Sequence, residues 1–155
     1  MTGRVRELYV TPKGGAPMES VTTVEALAGR GLRGDRYCER TGYWTDIDEC
    51  QVTLIEVEDL ETIKQETGLN ILNGEHRRNI ITEGIRLAEL AGKQFQIGTA
   101  VLEFDRPRPP CAYIQSITQP GMTRALVRRG GICARVIQAG SISPGDSIKI
   151  TIPAP

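Results

Sequence analysis

The chain has 155 residues, with 19 Lys and Arg against 19 Asp and Glu and one histidine. That balance argues against a nucleic-acid binder, which carries a marked basic excess. No apolar run approaches the ~18 residues of a membrane span, and no signal-peptide pattern opens the chain. The expectation is a soluble cytoplasmic protein built as a single domain over residues 1–155, with neither nucleic acid nor membrane as partner.

Taken in order, residues 5–10 predict a first strand and residues 12–17, rich in proline and glycine, a loop. Residues 21–24, β-branched throughout, predict a second strand. Gly29-Arg30-Gly31-Leu32-Arg33-Gly34 then matches a GxGxxG pattern. A dinucleotide site needs those glycines to open a helix that meets the pyrophosphate. The residues that follow, Asp35 to Gly42, show no helical periodicity, and the chain lacks the βαβ alternation of that fold. The segment is read as a glycine loop carrying Arg30, Arg33 and Arg36: either an anion site made of backbone N–H groups and guanidiniums, or a solvated connection.

Residues 51–55 predict a third strand running into the best helical segment, residues 56–67. There Val57, Leu60 and Ile63 recur at helical spacing, acidic residues fill the first turn, and Gly68 supplies a stop. His76-Arg77-Arg78-Asn79 precedes the β-branched run 80–82. Adjacent arginines entering a strand point to opposite faces, so at least one faces inward or towards a groove. An inward arginine calls for a carboxylate or a phosphate; the alternative is a pair of surface charges. His76 has no second histidine with which to hold a metal and is read as a surface or turn residue.

A hairpin is predicted over residues 94–97 and 100–104. It delivers Asp105-Arg106-Pro107-Arg108-Pro109-Pro110-Cys111, whose prolines are expected to end the strand at Phe104. Arg106 and Arg108 favour the thiolate of Cys111, the form that attacks and ligates; the alternative is a buried, inert thiol. Cys38, Cys50, Cys111 and Cys133 show no CxxC spacing and are expected to be free thiols. Short helices are predicted over 113–119 and 123–127, and a second basic glycine loop at Arg128 to Gly131. Last strands are predicted at 133–138 and 147–152, joined by a tight turn at Ser143-Pro144-Gly145-Asp146. Many short strands with little helix predict an all-β fold: a closed or partly closed antiparallel β-barrel with a few short helices.

Gly31-Leu32-Arg33-Gly34-Asp35-Arg36-Tyr37, Arg77-Arg78-Asn79-Ile80, Gly84-Ile85, Ile97-Gly98, Pro110-Cys111, Arg129-Gly130-Gly131, Ala134-Arg135-Val136 and Pro144-Gly145-Asp146 follow one another in an order that resembles the MOSC domain, the C-terminal domain of molybdenum-cofactor sulfurase. The resemblance runs from about Val5 to Ile150. It implies a β-barrel of the pyruvate-kinase barrel type and a link to molybdenum cofactor (molybdopterin) or to sulfur transfer, in some members with reduction of N-hydroxylated substrates. It implies Cys111 as the molybdenum ligand and catalytic residue, or as the carrier of a sulfane sulfur. It further implies Arg77, Arg78 and Asn79 at the pterin's phosphate and ring edges, with Arg33, Asp35, Arg36 and Arg129 in the same cleft; Arg135 is either in that cleft or structural.

Three readings stand. The first is a molybdenum-cofactor oxidoreductase with a small-molecule substrate and an electron-transfer partner. In the second the chain is a sulfur carrier taking a Cys111 persulfide from a cysteine desulfurase. The third is a non-catalytic binding module in which Cys111 is packing.

Overall fold

β1 (Gly3–Val10) shows how the sequence commits to a barrel wall. Val5 and Leu8 are both buried in one core although they are an odd number apart. The pairing of β1 with β6 (Ile80–Glu83) slips between Val5 and Glu7. A bulge there adds one residue and resets which side chains face inward. The chain is described by a computed structural model over residues 3–42, 50–69, 71–72, 74–108, 121–122, 126 and 129–151. Among the described residues no helix is long and apolar enough to cross a membrane.

β2 (Glu19–Val21) leans on the far half of β1. β3 (Val24–Leu27) turns away instead and pairs with β4 (Gly31–Leu32) and β10 (Gly140–Ile142) in a separate three-stranded sheet. The expected strand over 21–24 is therefore two strands in two sheets, broken at Thr22 and Thr23. The barrel itself runs β11 (Ser147–Thr151), β7 (Gln94–Ile97), β8 (Ala100–Pro107), β9 (Ile132–Gln138), β5 (Val52–Glu56), β6 and β1, and closes by pairing of β1 with β11. The all-β barrel read from the sequence is the fold observed, with only two short α-helices among the described residues.

Three details depart from expectation. β5 and β6 are parallel, so the barrel is not wholly antiparallel. Parallel neighbours need a crossover, and α2 (Val57–Thr67) supplies it, burying Val57, Leu60 and Ile63 and ending at Gly68. β8 does not stop at Phe104 but pairs through Arg106 and Pro107 with Cys133 and Ile132. Its pairing with β7 ends at Glu103, so the donor that Pro107 lacks has no strand waiting for it on that side. Finally, β10 lies between β9 and the turn at Ser143–Asp146, where Asp146 Oδ2 accepts from Ser143 N at 2.7 Å.

Two cores result. Leu54, Ile80, Phe95, Leu102 and Val136 fill the barrel, while Ile55 and Ile81 on its outer surface meet Leu60 and Ile63 of α2 together with Ile71, Met122 and Leu126. All five residues of β5 are buried because both of its faces are covered. The helices expected at 113–119 and 123–127 fall outside the described residues, Leu126 apart.

Candidate functional site

The first glycine loop leads into α1 (Arg36–Glu39), a single turn. Asp35 caps it, accepting from Tyr37 N at 3.3 Å and from Thr11 N at 3.1 Å. Buried and already bonded, the carboxylate also holds Arg36 Nη1 at 3.1 Å. Arg36 Nη2 donates to the Tyr37 hydroxyl and to the Arg77 carbonyl, each at 3.0 Å. The one-turn helix thus fixes a buried guanidinium and ties it to the second basic segment.

That segment, His76 to Asn79, is buried throughout, which corrects the expectation of a surface histidine and settles the arginine pair as inward. Arg77 adopts φ of 61°, a left-handed conformation rare in a bulky residue, and its Nη1 donates to the Ala16 carbonyl. His76 Nδ1 accepts from Arg78 N at 2.9 Å, so the proton of the neutral ring is on Nε2, which has no partner among the described residues. Burial, with Arg78 and Arg77 adding to it, pushes the imidazole pKa down to about 3. Arg78 donates Nε to the Gly130 carbonyl at 2.7 Å and Nη1 to the His76 carbonyl at 3.3 Å. Its Nη2 is bonded to no acceptor among the described residues. Burial first, and then the Arg108 and Arg36 charges, push the Arg78 pKa down to about 10.

Asn79 is spent on the fold. Its Oδ1 accepts from Thr53 N and Thr53 Oγ1, each at 3.0 Å, and its Nδ2 donates to the Tyr9 carbonyl at 3.1 Å, lacing β1, β5 and β6 together.

The third segment is the end of β8. Arg108, also buried, donates its N–H to the Gly131 carbonyl at 2.8 Å. A Cβ on Gly130 would lie 2.2 Å from the Arg108 carbonyl oxygen and 3.4 Å from Arg78 Nη2, so only glycine admits this approach. Arg36, Arg77, Arg78 and Arg108 are therefore brought together, and Asp35 is the one buried carboxylate touching them among the described residues. Buried charge is tolerated only when paired, and such a cluster suits an anion with several acceptor oxygens. Beside it opens a cavity of about 180 Å³ lined by Arg30, Arg40, Arg135, Tyr37, Cys38 and Cys50 among others.

Cys111 lies outside the described residues. Arg33 is at the surface, paired with Glu25 at 3.3 Å, and Arg129 is paired with Glu66 at 2.7 Å; neither joins the buried cluster. Arg135 clamps β8 to β9 through Glu103 and Asp105, a structural use. Sequence reasoning missed the inward burial of His76 and of Arg108. Arg108 left one signal, a charge locked between prolines.

The MOSC domain family model matches residues 32–149. Among solved structures, the chain is similar to the YUAD protein from Bacillus subtilis, with TM-score 0.77, 22% identity, and coverage of 97% of this chain and 96% of that one. YiiM from Geobacillus stearothermophilus gives TM-score 0.74 and 18% identity over 97% of this chain and 75% of that one. YiiM from Escherichia coli gives 0.69 and 18% over 97% and 71%. At these identities the likeness is one of fold. A comparison with curated proteins finds no match.

Proposed function

This chain belongs to the MOSC domain family, and we propose that it binds the molybdenum cofactor, molybdopterin, and supports reduction of N-hydroxylated small molecules. The observation that carries the reading is Arg78, a buried guanidinium whose Nη2 meets no acceptor among the described residues, close to Arg36, Arg77 and Arg108. A phosphate suits a guanidinium edge of that kind, since its oxygens accept charge-assisted N–H bonds. Cys111, three residues beyond Arg108 in the chain, is the soft thiolate a sulfur-coordinated metal calls for. When bound, the cofactor supplies the metal's redox chemistry. The chain's own residues hold and orient. Asp35 fixes Arg36, Gly130 admits Arg78, and Asn79 braces the strand from which Arg77 and Arg78 emerge. Arg33 and Arg129, being surface-paired, are assigned no contact. An electron-transfer partner completes the scheme.

Protein made in a cofactor-producing host is expected to carry molybdenum and pterin. Cys111→Ser should lose the metal, and Arg78→Gln should lose pterin while keeping the fold. A second reading rests on Arg106 and Arg108, which favour a reactive thiolate at Cys111. In it Cys111 carries a persulfide from a cysteine desulfurase. Protein free of metal but showing a mass increase removable by a reductant would select that reading. Absence of both, with a slowly reacting Cys111, would leave a binding module.

A further inference from the structure

Two of the three arginines in the first glycine loop have a settled use: Arg36 is bound to Asp35, and Arg33 is paired with Glu25 at the surface. Arg30 is the third. It stands in the turn between β3 and β4, where its N–H donates to the Leu27 carbonyl at 3.0 Å and the Gly29 N–H reaches the Val136 carbonyl at 2.9 Å. Among the described residues its side chain makes one hydrogen bond, from Nη2 to the Cys38 carbonyl at 3.3 Å, and no ion pair. Arg30 lines the cavity of about 180 Å³ together with Tyr37, Gln51, Cys38, Cys50 and Asp105. The polar groups of that wall are unevenly divided. The Tyr37 hydroxyl accepts from Arg36 Nη2 at 3.0 Å, and no acceptor among the described residues takes its own proton. Gln51 Oε1 accepts from Val136 N at 2.9 Å, which leaves the amide N–H groups over. The carboxylate of Asp105 is already shared by Arg106 at 2.6 Å and Arg135 at 2.8 Å. Burial raises the Cys38 and Cys50 thiols above their usual pKa, so neither sulfur brings a negative charge. Unused donors with no free carboxylate among them suit an acceptor-rich anion.

We propose that this cavity is the substrate subsite of the reductase and selects small N-hydroxylated compounds bearing a carboxylate, which Arg30, the Tyr37 hydroxyl and the Gln51 amide hold. Arg30 supplies the charge, and the other two add neutral donors. A cavity of about 150 Å³ holds benzene, so this one admits a small ring or a short chain and not a nucleotide. Tyr37 joins the cavity to the buried arginine cluster, since the Arg36 guanidinium lies 4.2 Å from the centre of its ring. The assignment to substrate rests on the cofactor reading above; the binding of a carboxylate at Arg30 does not.

The test titrates the full chain with benzoate and, separately, with benzamide, following the chemical shifts of assigned backbone and side-chain N–H groups. Benzoate should move the Arg30 Nε–H and the Gln51 side-chain amide, and should bind about tenfold more tightly than benzamide. Arg30→Gln should weaken benzoate by about tenfold at unchanged Tm, because no ion pair is lost from the fold, and Arg30→Lys should recover part of the affinity. Equal affinity for benzoate and benzamide, or full benzoate affinity in Arg30→Gln, would overturn the site. So would benzoate binding that is lost in Arg78→Gln and kept in Arg30→Gln, which would put the anion in the buried cluster instead. Inorganic phosphate that displaces benzoate at a lower concentration than benzoate itself needs would overturn the choice of a carboxylate. Molybdenum and pterin content is read on the same protein, made in a cofactor-producing host. Benzoate held through Arg30 by a chain that acquires neither would keep the anion site and overturn its role as a substrate subsite.

Discussion

His76 holds the arginine pair in place through one lone pair. Its Nδ1 accepts the Arg78 N–H, and protonation there would break that bond and add a third charge to two guanidiniums. The pKa is lowered, from 6.5 to about 3, so the unfolded chain takes the proton first. The stability this group contributes is complete above pH 6.5 and is lost as pH falls towards 3. Each unit of that interval weighs about 1.4 kcal/mol. Urea midpoints of the parent should therefore fall more steeply with acid than those of His76→Asn, which keeps an acceptor but cannot titrate. Parallel slopes would contradict the burial of a neutral ring. Asn79→Ala is the second case at this scale. It strands Thr53 N, Thr53 Oγ1 and the Tyr9 carbonyl in a buried place, and at roughly 1–3 kcal/mol for an orphaned buried group it should lower the unfolding free energy by a few kcal/mol. A loss below about 1 kcal/mol, the net worth of one ordinary hydrogen bond, would mean Asn79 is not the brace described.

At the scale of elements, the contact between the glycine loop and β5 carries the site. Gly131 has φ of 81°, and a Cβ there would lie 1.9 Å from the Leu54 carbonyl oxygen. Gly131→Ala should destabilise by on the order of 3 kcal/mol, since overpacking and left-handed strain add. It should also weaken pterin retention, because the same loop offers Arg78 its Gly130 acceptor. Wild-type thermal stability in that variant would refute the packing. Local pattern made α2, the 94–97 hairpin arm and the inward arginines readable, because hydrophobic period, turn residues and paired charge all act within a few positions. The continuation of β8 through Pro107 was not readable. It depends on β7 ending at Glu103, which is a matter of how neighbouring strands differ in length. The parallel pairing of β5 with β6 was hidden for a similar reason: strand direction follows from where α2 lands. Thr53 and Cys133, far apart in sequence, meet only through the β5–β9 register.

At the scale of the molecule, closure depends on the chain's two ends of barrel pairing, β1 with β11 at Gly3–Ile148 and Arg4–Ser147. Without β11 the edges of β1 and β7 are unpaired and the buried core below Ile148 opens. A chain ending before Ser147 should lose the single sharp urea transition expected of a closed barrel. Retention of one transition at the parent midpoint would show that the barrel does not need its last strand. Closure matters for function because Arg36, Arg78 and Arg108 reach their common place from α1, the start of β6 and the end of β8, which only the closed wall brings together. The cofactor content of protein from a cofactor-producing host is the most direct measurement of what this arrangement is for. Near-stoichiometric molybdenum and pterin are expected in the parent, with metal lost in Cys111→Ser and pterin lost in folded Arg78→Gln. A parent protein with neither molybdenum nor pterin, or an Arg78→Gln variant that retains pterin fully, would contradict the account.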